Sequence, residues 1–220
     1  MAKRGRPRSF DRQEALCRAR DVFWALGYEG ATLTDLQEAM GGISAPSFYA
    51  AFGSKEQLFR EVVEYYCKSE GAPTIRALTE TPTARASIQA MLEAVVEFLC
   101  QPGKPRGCMI VLGGINCAQE NQGVQNHLRE IRLQAQKYIK QRLDRGVTEG
   151  DVSAEVDRAA LASFYTTVLH GLSIQARDGA PRKALTAAVS CAMAAWDQLT
   201  PGGGSTRPPG RGRTEKSPTA

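Results

Sequence analysis

Residues 32–56 read TLTDLQEAMGGISAPSFYAAFGSKE, and this stretch decides how the N-terminal part of the chain folds. Thr34 has the side chain of a helix N-cap, and Gln37 three residues later completes a capping box that satisfies two orphan backbone N–H groups. Leu36, Ala39 and Met40 recur at helical spacing and give this helix one apolar face. Gly41-Gly42 stops it, because glycine tolerates the left-handed backbone of a helix end. Ser44 caps the next helix, and Pro46 falls in its first turn, where a missing N–H costs nothing. Phe48 and Phe52, four residues apart, anchor this second helix inward and leave Ala45, Ser47, Tyr49 and Ala50 outward. Two short helices joined by a tight glycine turn match the DNA-binding helix-turn-helix, here about 32–52. On pattern alone, a helical hairpin inside a core fits equally well.

The flanks separate these readings. Phe48-Tyr49-Ala50-Ala51-Phe52-Gly53-Ser54-Lys55-Glu56, after Thr32-Leu33-Thr34-Asp35-Leu36, resembles the N-terminal domain of the TetR family of bacterial repressors. In that family a small-residue, Leu/Phe-Tyr-x-x-Phe-x-Ser/Asn-Lys-Glu run ends the recognition helix and starts the next one. The match spans roughly residues 10–65; the remainder is similar in length and all-helical pattern. One departure is that Gly41-Gly42-Ile43 holds one glycine more than the family's usual turn, which bears on the angle of the recognition helix. The resemblance implies that Tyr49, Lys55 and Thr34 hold DNA phosphates, and that a fourth helix links a DNA-binding domain to a separate body.

Charge is distributed in a way that fits. Of the net +5, residues 1–10 carry +4 through Lys3, Arg4, Arg6 and Arg8. Residues 201–220 carry +3, leaving the body between them at −2. A mildly acidic body argues against a nucleic-acid coat protein, while a basic arm beside a helix-turn-helix fits sequence-directed binding. Lys3-Arg4-Gly5-Arg6-Pro7-Arg8 resembles an AT-hook: glycine and proline keep the backbone thin enough for a narrow minor groove, and Arg4, Arg6 and Arg8 reach its negative floor. The bland alternative is a solvated basic terminus. Pro209-Gly210-Arg211-Gly212-Arg213 is expected to be a disordered tail adding nonspecific phosphate attraction.

The segment 44–52 has no charged residue, so it lacks the arginine-to-guanine contact that dominates specific readout. Apolar contacts of Ala45, Pro46 and Ala50 with thymine methyls remain, with hydroxyl contacts from Ser44, Ser47 and Tyr49. Phosphate contacts position a protein without choosing the sequence. An operator with A·T-rich parts, read by the arm as much as by the helix, is therefore expected.

The rest reads as helices, with no strand-like alternation, giving an all-α expectation of about nine helices. Asp11 and Glu14 form a possible capping box, with Phe10 placed to staple onto Ala15. Leu16, Ala19, Val22, Phe23 and Leu26 mark an amphipathic helix ending at Gly27, and Ser54 with Gln57 caps one carrying Leu58, Phe59, Val62 and Val63. Apolar repeats follow at 88–99, 108–119, 124–143, 157–175 and 182–199. The expected organisation is a basic arm at 1–9, a three-helix DNA-binding domain at 10–68, a helical effector and dimerisation domain at 75–199, and a tail at 200–220. The last two helices are rich in alanine and carry Phe164, Val168, Leu172, Leu185, Val189, Met193 and Trp196. These serve either an intrachain core or, as the resemblance implies, a four-helix bundle with a second copy. A dimer is what a palindromic operator requires.

No apolar run reaches membrane-spanning length, and residues 1–10 lack a signal-peptide core, so a cytoplasmic protein is expected. Cysteines at 17, 67, 100, 108, 117 and 191 form no C-x-x-C pair, which argues for reduced thiols rather than a disulfide framework or zinc site. Cys108 follows Lys104-Pro105-Arg106-Gly107 at a loop-to-helix transition, where cations and a helix N-terminus would activate a thiol as an electrophile or oxidant sensor. Cys117 is a possible partner. Inert burial is the competing reading for both. Met91, Val95, Met109, Leu112, Ile131, Phe164 and Tyr165 are candidates to line an apolar effector pocket, or to be plain core. A copper or zinc site joining His127 and His170 to Cys108 or Cys117 has no supporting ligand spacing, so neither a metal nor any cofactor is expected. No phosphate loop, G-x-S-x-G, H-E-x-x-H or dinucleotide fingerprint is present, and an enzyme is disfavoured. The expectation is a dimeric transcriptional repressor released from DNA by a small-molecule or redox signal. An activator of the same fold, or a nonspecific DNA-packaging protein, are the alternatives.

Overall fold

The computed structural model describes residues 11–201; Phe10, the basic arm with Arg4, Arg6 and Arg8, and the tail beyond Pro201 lie outside them. Within these residues the fold is all-helical. The helices are α1 (Arg12–Gly30), α2 (Leu33–Ala39), α3 (Ala45–Phe52), α4 (Lys55–Ser69), α5 (Ala72–Glu80) and α6 (Ala84–Leu99), then α7 (Met109–Leu112), α8 (Gln122–Glu149), α9 (Arg158–Arg177), α10 (Arg182–Ala194) and α11 (Trp196–Leu199). Two of these, α7 and α11, are single turns of 4 residues. The other nine agree in number with the expectation, with one exchange. Helix α5 was not foreseen, and the apolar run 108–119 yields only α7 and a 3₁₀ turn at Gln119–Asn121.

Side-chain caps start most helices. Asp11 accepts from the Gln13 and Glu14 N–H groups, Ser44 from Ser47, Ser54 from Gln57, Thr83 from Ala86, and Asp157 from Ala159 and Ala160. Glu14 does not reach back to close a box; its carboxylate pairs with Arg18 one turn on. The cap of α2 is Thr32, not Thr34. Thr32 accepts from the Asp35 N–H while the Asp35 carboxylate accepts from the Thr32 N–H at 2.8 Å, a complete capping box two residues earlier than anticipated. The turn after α2 uses both glycines, Gly41 at φ 90° and Gly42 at φ 75°. Two successive left-handed residues are what the additional glycine supplies.

Helix α1 breaks at Gly27, whose φ of 73° and ψ of 178° are not helical. Leu26, expected to be buried, is 51% exposed, and Trp24 and Tyr28 are buried in its place.

Two hydrophobic cores result. One joins α1 to α4 and contains Phe23, Trp24, Tyr28, Phe48, Phe52, Phe59 and Tyr66. Its rings interlock: Phe59 meets Phe23 edge-on at 5.0 Å and Tyr28 at 5.2 Å, and Trp24 meets Tyr66 edge-on at 5.1 Å. Met109, Ile110, Val124 and Leu128 of the body also belong to this core, so it crosses the boundary between the N-terminal bundle and the body. The other core joins α5, α6, α8, α9 and α10 and is mainly aliphatic, with Ile88, Leu92, Leu143 and Leu185 among its most buried members.

Candidate nucleic-acid interface and sensing region

Helix α3 is held from beneath by Phe48 and Phe52, both buried. Its opposite face is open: Ser44, Pro46, Ser47 and Ala50 are exposed, Ala45 is half-buried, and Tyr49 is 51% exposed. Ser44 Oγ and Ser47 Oγ lie 2.9 Å apart, so their hydroxyls form one polar edge at the start of the helix. The outward surface carries hydroxyls and methyl groups with no charge, a set suited to thymine methyls and phosphate oxygens. Thr34 is exposed in the first turn of α2, and its capping duty has passed to Thr32. Lys55, at the start of α4, places its ammonium 4.4 Å from the centre of the Tyr28 ring. Burial lowers its pKa, while Glu29, Cys117 and Asp35 act in the opposite direction.

Cys108 is half-buried and precedes α7. The cations anticipated beside it are engaged elsewhere: Lys104 pairs with Glu70 at 3.4 Å, and Arg106 donates to the Ala180 carbonyl at 3.2 Å. A four-residue helix also supplies little dipole. What surrounds the thiol comes from distant helices. The Tyr66 hydroxyl donates to Cys108 Sγ at 3.5 Å, and the Cys108 N–H donates to Ser173 Oγ at 2.8 Å. Arg132 of α8 donates to the Ile110 carbonyl at 2.8 Å. Burial lowers the Arg132 pKa, and Cys108, near enough to act electrostatically, opposes that shift. Tyr66, Arg132 and Ser173 carried no motif; only the fold reveals them. Cys117 has other neighbours, with burial and Glu29 pushing its thiol pKa up against Lys55.

The apolar effector candidates do not form one lining. Met91 and Tyr165 are in the aliphatic core, with Val95 packed against it. Met109 is in the aromatic core, with Ile131 packed against that one. Leu112 is half-buried, and Phe164 is 38% exposed on the outer side of α9. A cleft of about 220 Å³ does open elsewhere in the body, between α6 and α10, lined by residues including Glu93, Glu97, Arg182 and Met193. His127 and His170 have different charged neighbours: Arg60, Glu130 and Glu56 act on His127, and Arg132 on His170. No cluster of three or more His, Cys, Asp or Glu side chains suited to a metal occurs among the described residues.

The candidate dimer residues divide similarly. Leu172, Leu185, Val189, Met193 and Trp196 are buried in the chain's own core, so they are not a free surface. Phe164 lies outside, with Val168 half-buried. An exposed stripe nevertheless runs along both helices: Ala160, Ser163, Phe164, Thr167 and Ile174 on α9, and Ala184, Ala187 and Cys191 on α10. Among the described residues no helix is long and apolar enough to cross a membrane.

Comparison with known proteins accounts for both halves of this architecture. Residues 16–62 match the family described as bacterial regulatory proteins, tetR family, and residues 84–192 match the tetracyclin repressor-like C-terminal domain. The chain is 29% identical over 197 residues to the HTH-type transcriptional repressor ComR of Escherichia coli strain K12, covering 89% of this chain and 93% of the relative. It is 29% identical over 177 residues to the transcriptional repressor BdcR of the same organism, covering 80% and 83%. Among solved structures, it resembles the TetR family transcriptional regulator CifR, in a cysteine-substituted form complexed with 26-bp double-strand operator DNA. That likeness has a TM-score of 0.84 and 44% identity, over 87% of this chain and 100% of the other. These likenesses make the chain a DNA-binding transcriptional regulator, and it belongs to the TetR family.

Proposed function

We propose that the chain acts in the cytoplasm as a homodimeric repressor that binds an inverted-repeat operator and leaves it when its body meets a small-molecule or electrophilic signal. The observation that carries this reading is the exposed α3 face beside an exposed small-residue stripe on α9 and α10. One supplies a surface for the major groove, and the other supplies the place where a second copy would give the twofold symmetry of an operator. Repressors among the relatives and the operator complex of CifR support the same direction of regulation. The basic arm, with Arg4, Arg6 and Arg8, would add minor-groove contacts that favour A·T-rich flanks.

Signal entry is assigned to Cys108. The half-buried residue precedes α7; its thiol accepts from the Tyr66 hydroxyl, its backbone N–H donates to Ser173, and Arg132 is in electrostatic reach. An adduct there would force the α7 turn to move, and release follows only if the moved form binds DNA less well. Cys108→Ser should abolish release by peroxide or an alkylating electrophile while leaving DNA affinity intact, as read by electrophoretic mobility shift. Unaltered release would remove Cys108 from the mechanism.

The function itself is tested by selecting bound sequences from a random duplex pool at fixed, moderate salt. Recovery of one inverted repeat with A·T-rich parts is expected. Recovery of no motif, with binding that collapses as salt rises, would instead indicate nonspecific charge attraction.

A further inference from the structure

The break in α1 is wired into the body. In an uninterrupted α-helix the Tyr28 N–H would donate to the Trp24 carbonyl. With Gly27 at φ 73°, the Tyr28 N–H donates to the Gly113 carbonyl of the body at 2.8 Å. The guanidinium of Arg177 fills the other side of the gap, donating to the Trp24 carbonyl at 2.8 Å and to the Ala25 carbonyl at 3.0 Å. The Trp24 indole N–H adds a bond to the Gly107 carbonyl at 2.7 Å. A cation on the carbonyl end of a helix is favoured by charge as well as geometry. Gly27 is required at this joint, since a Cβ there would stand 3.3 Å from the Gly113 oxygen on a backbone with positive φ.

The partners matter more than the number of bonds. Arg177 ends α9, the helix whose outer stripe faces the second copy in the proposed dimer, while α1 belongs to the DNA-binding bundle. One side chain thus ties the bundle to a helix of the proposed dimer face. We propose that Arg177 is a positioning residue for DNA reading: by clasping the broken end of α1 it fixes the angle at which each α3 leaves the dimer, and so the half-site spacing that the dimer accepts. This rests on the dimeric, operator-binding reading above.

The test compares full-length wild type, Arg177→Met and Arg177→Lys on the selected inverted repeat, on repeats with the spacer one base pair shorter or longer, and on a single half-site. Dimer mass and Tm are measured alongside. Arg177→Met should keep the dimer and its half-site affinity, but its preference for the native spacer should fall by about tenfold. Arg177→Lys, able to reach one carbonyl with a point charge, should recover part of that preference. Undiminished spacer preference in Arg177→Met would overturn the proposal. So would a uniform loss on every DNA that tracks a fallen Tm, which would make Arg177 a simple structural staple. A wild type indifferent to spacing would overturn the dimeric reading, and the proposal with it.

Discussion

The two cores of this molecule are built from different materials. Around α1 to α4 the interior is aromatic, with seven buried rings whose edges and faces fix one another; in the body the buried aromatics of the core are Tyr165 and Trp196 among aliphatic and alanine side chains. Ring pairs have preferred angles, so an aromatic core specifies a rigid shape. Aliphatic cores repack at small cost and tolerate alternatives. A bundle that must present α3 at a set angle benefits from the first, and a body that must yield to a signal benefits from the second.

Removing one ring is the strongest way to break this contrast. Phe59 is fully buried between Phe23 and Tyr28. Phe59→Ala should cost roughly 3–5 kcal/mol in urea denaturation. Ile88→Val, at an equally buried site in the body, should cost about 0.5–1.5 kcal/mol. Equal costs would dissolve the distinction.

Surface changes on the aromatic side should affect DNA and little else. Tyr49→Phe removes one exposed hydroxyl and should weaken operator binding by about 0.5–1.5 kcal/mol with no change in Tm. Lys55→Ala should also reduce the slope of log affinity against log salt by about one, the signature of a lost phosphate contact. Unchanged affinity in either variant would remove that residue from the interface.

The smallest effect concerns pH. Burial lowers the pKa of His127 and His170 below the ordinary 6.5, with Arg60 and Arg132 respectively adding to the shift; Glu130 and Glu56 oppose it at His127. The unfolded chain therefore binds protons that the native chain refuses. This contribution is fully present above pH 6.5 and is lost as pH falls from there through the lowered native values. Replacing both histidines by glutamine should flatten the stability profile between about pH 7 and 5 relative to wild type. Parallel profiles would contradict the assignment.

The same contrast explains what was legible in the chain before the fold was known. Helix α3 could be read almost residue by residue, because a cap, a first-turn proline and two phenylalanines four apart are local signals. Thr32 and Thr34 both head capping-box spacings, and which of them caps α2 depends on where the preceding chain arrives. Helix α5 is illegible in the sequence because Leu78 is its one buried side chain, too few apolar positions to make a helical period. Leu26 is exposed because the buried face of α1 runs through Arg20 and Trp24, which leaves Leu26 at its edge, and a three-residue step from Phe23 does not distinguish edge from centre. The surroundings of Cys108 were illegible for another reason: Tyr66 and Ser173 are 42 and 65 residues away in sequence, and no spacing rule reaches that far. Nor could a list of aliphatic residues reveal which belong to which core.

The central claim, that two copies read two half-sites as a unit, is tested most directly by titrating the protein onto the selected inverted repeat and onto one isolated half-site at the same salt. The account predicts two protomers on the repeat and an affinity about 10²-fold or more above that for the half-site. Equal affinities, with one protomer on each, would contradict it.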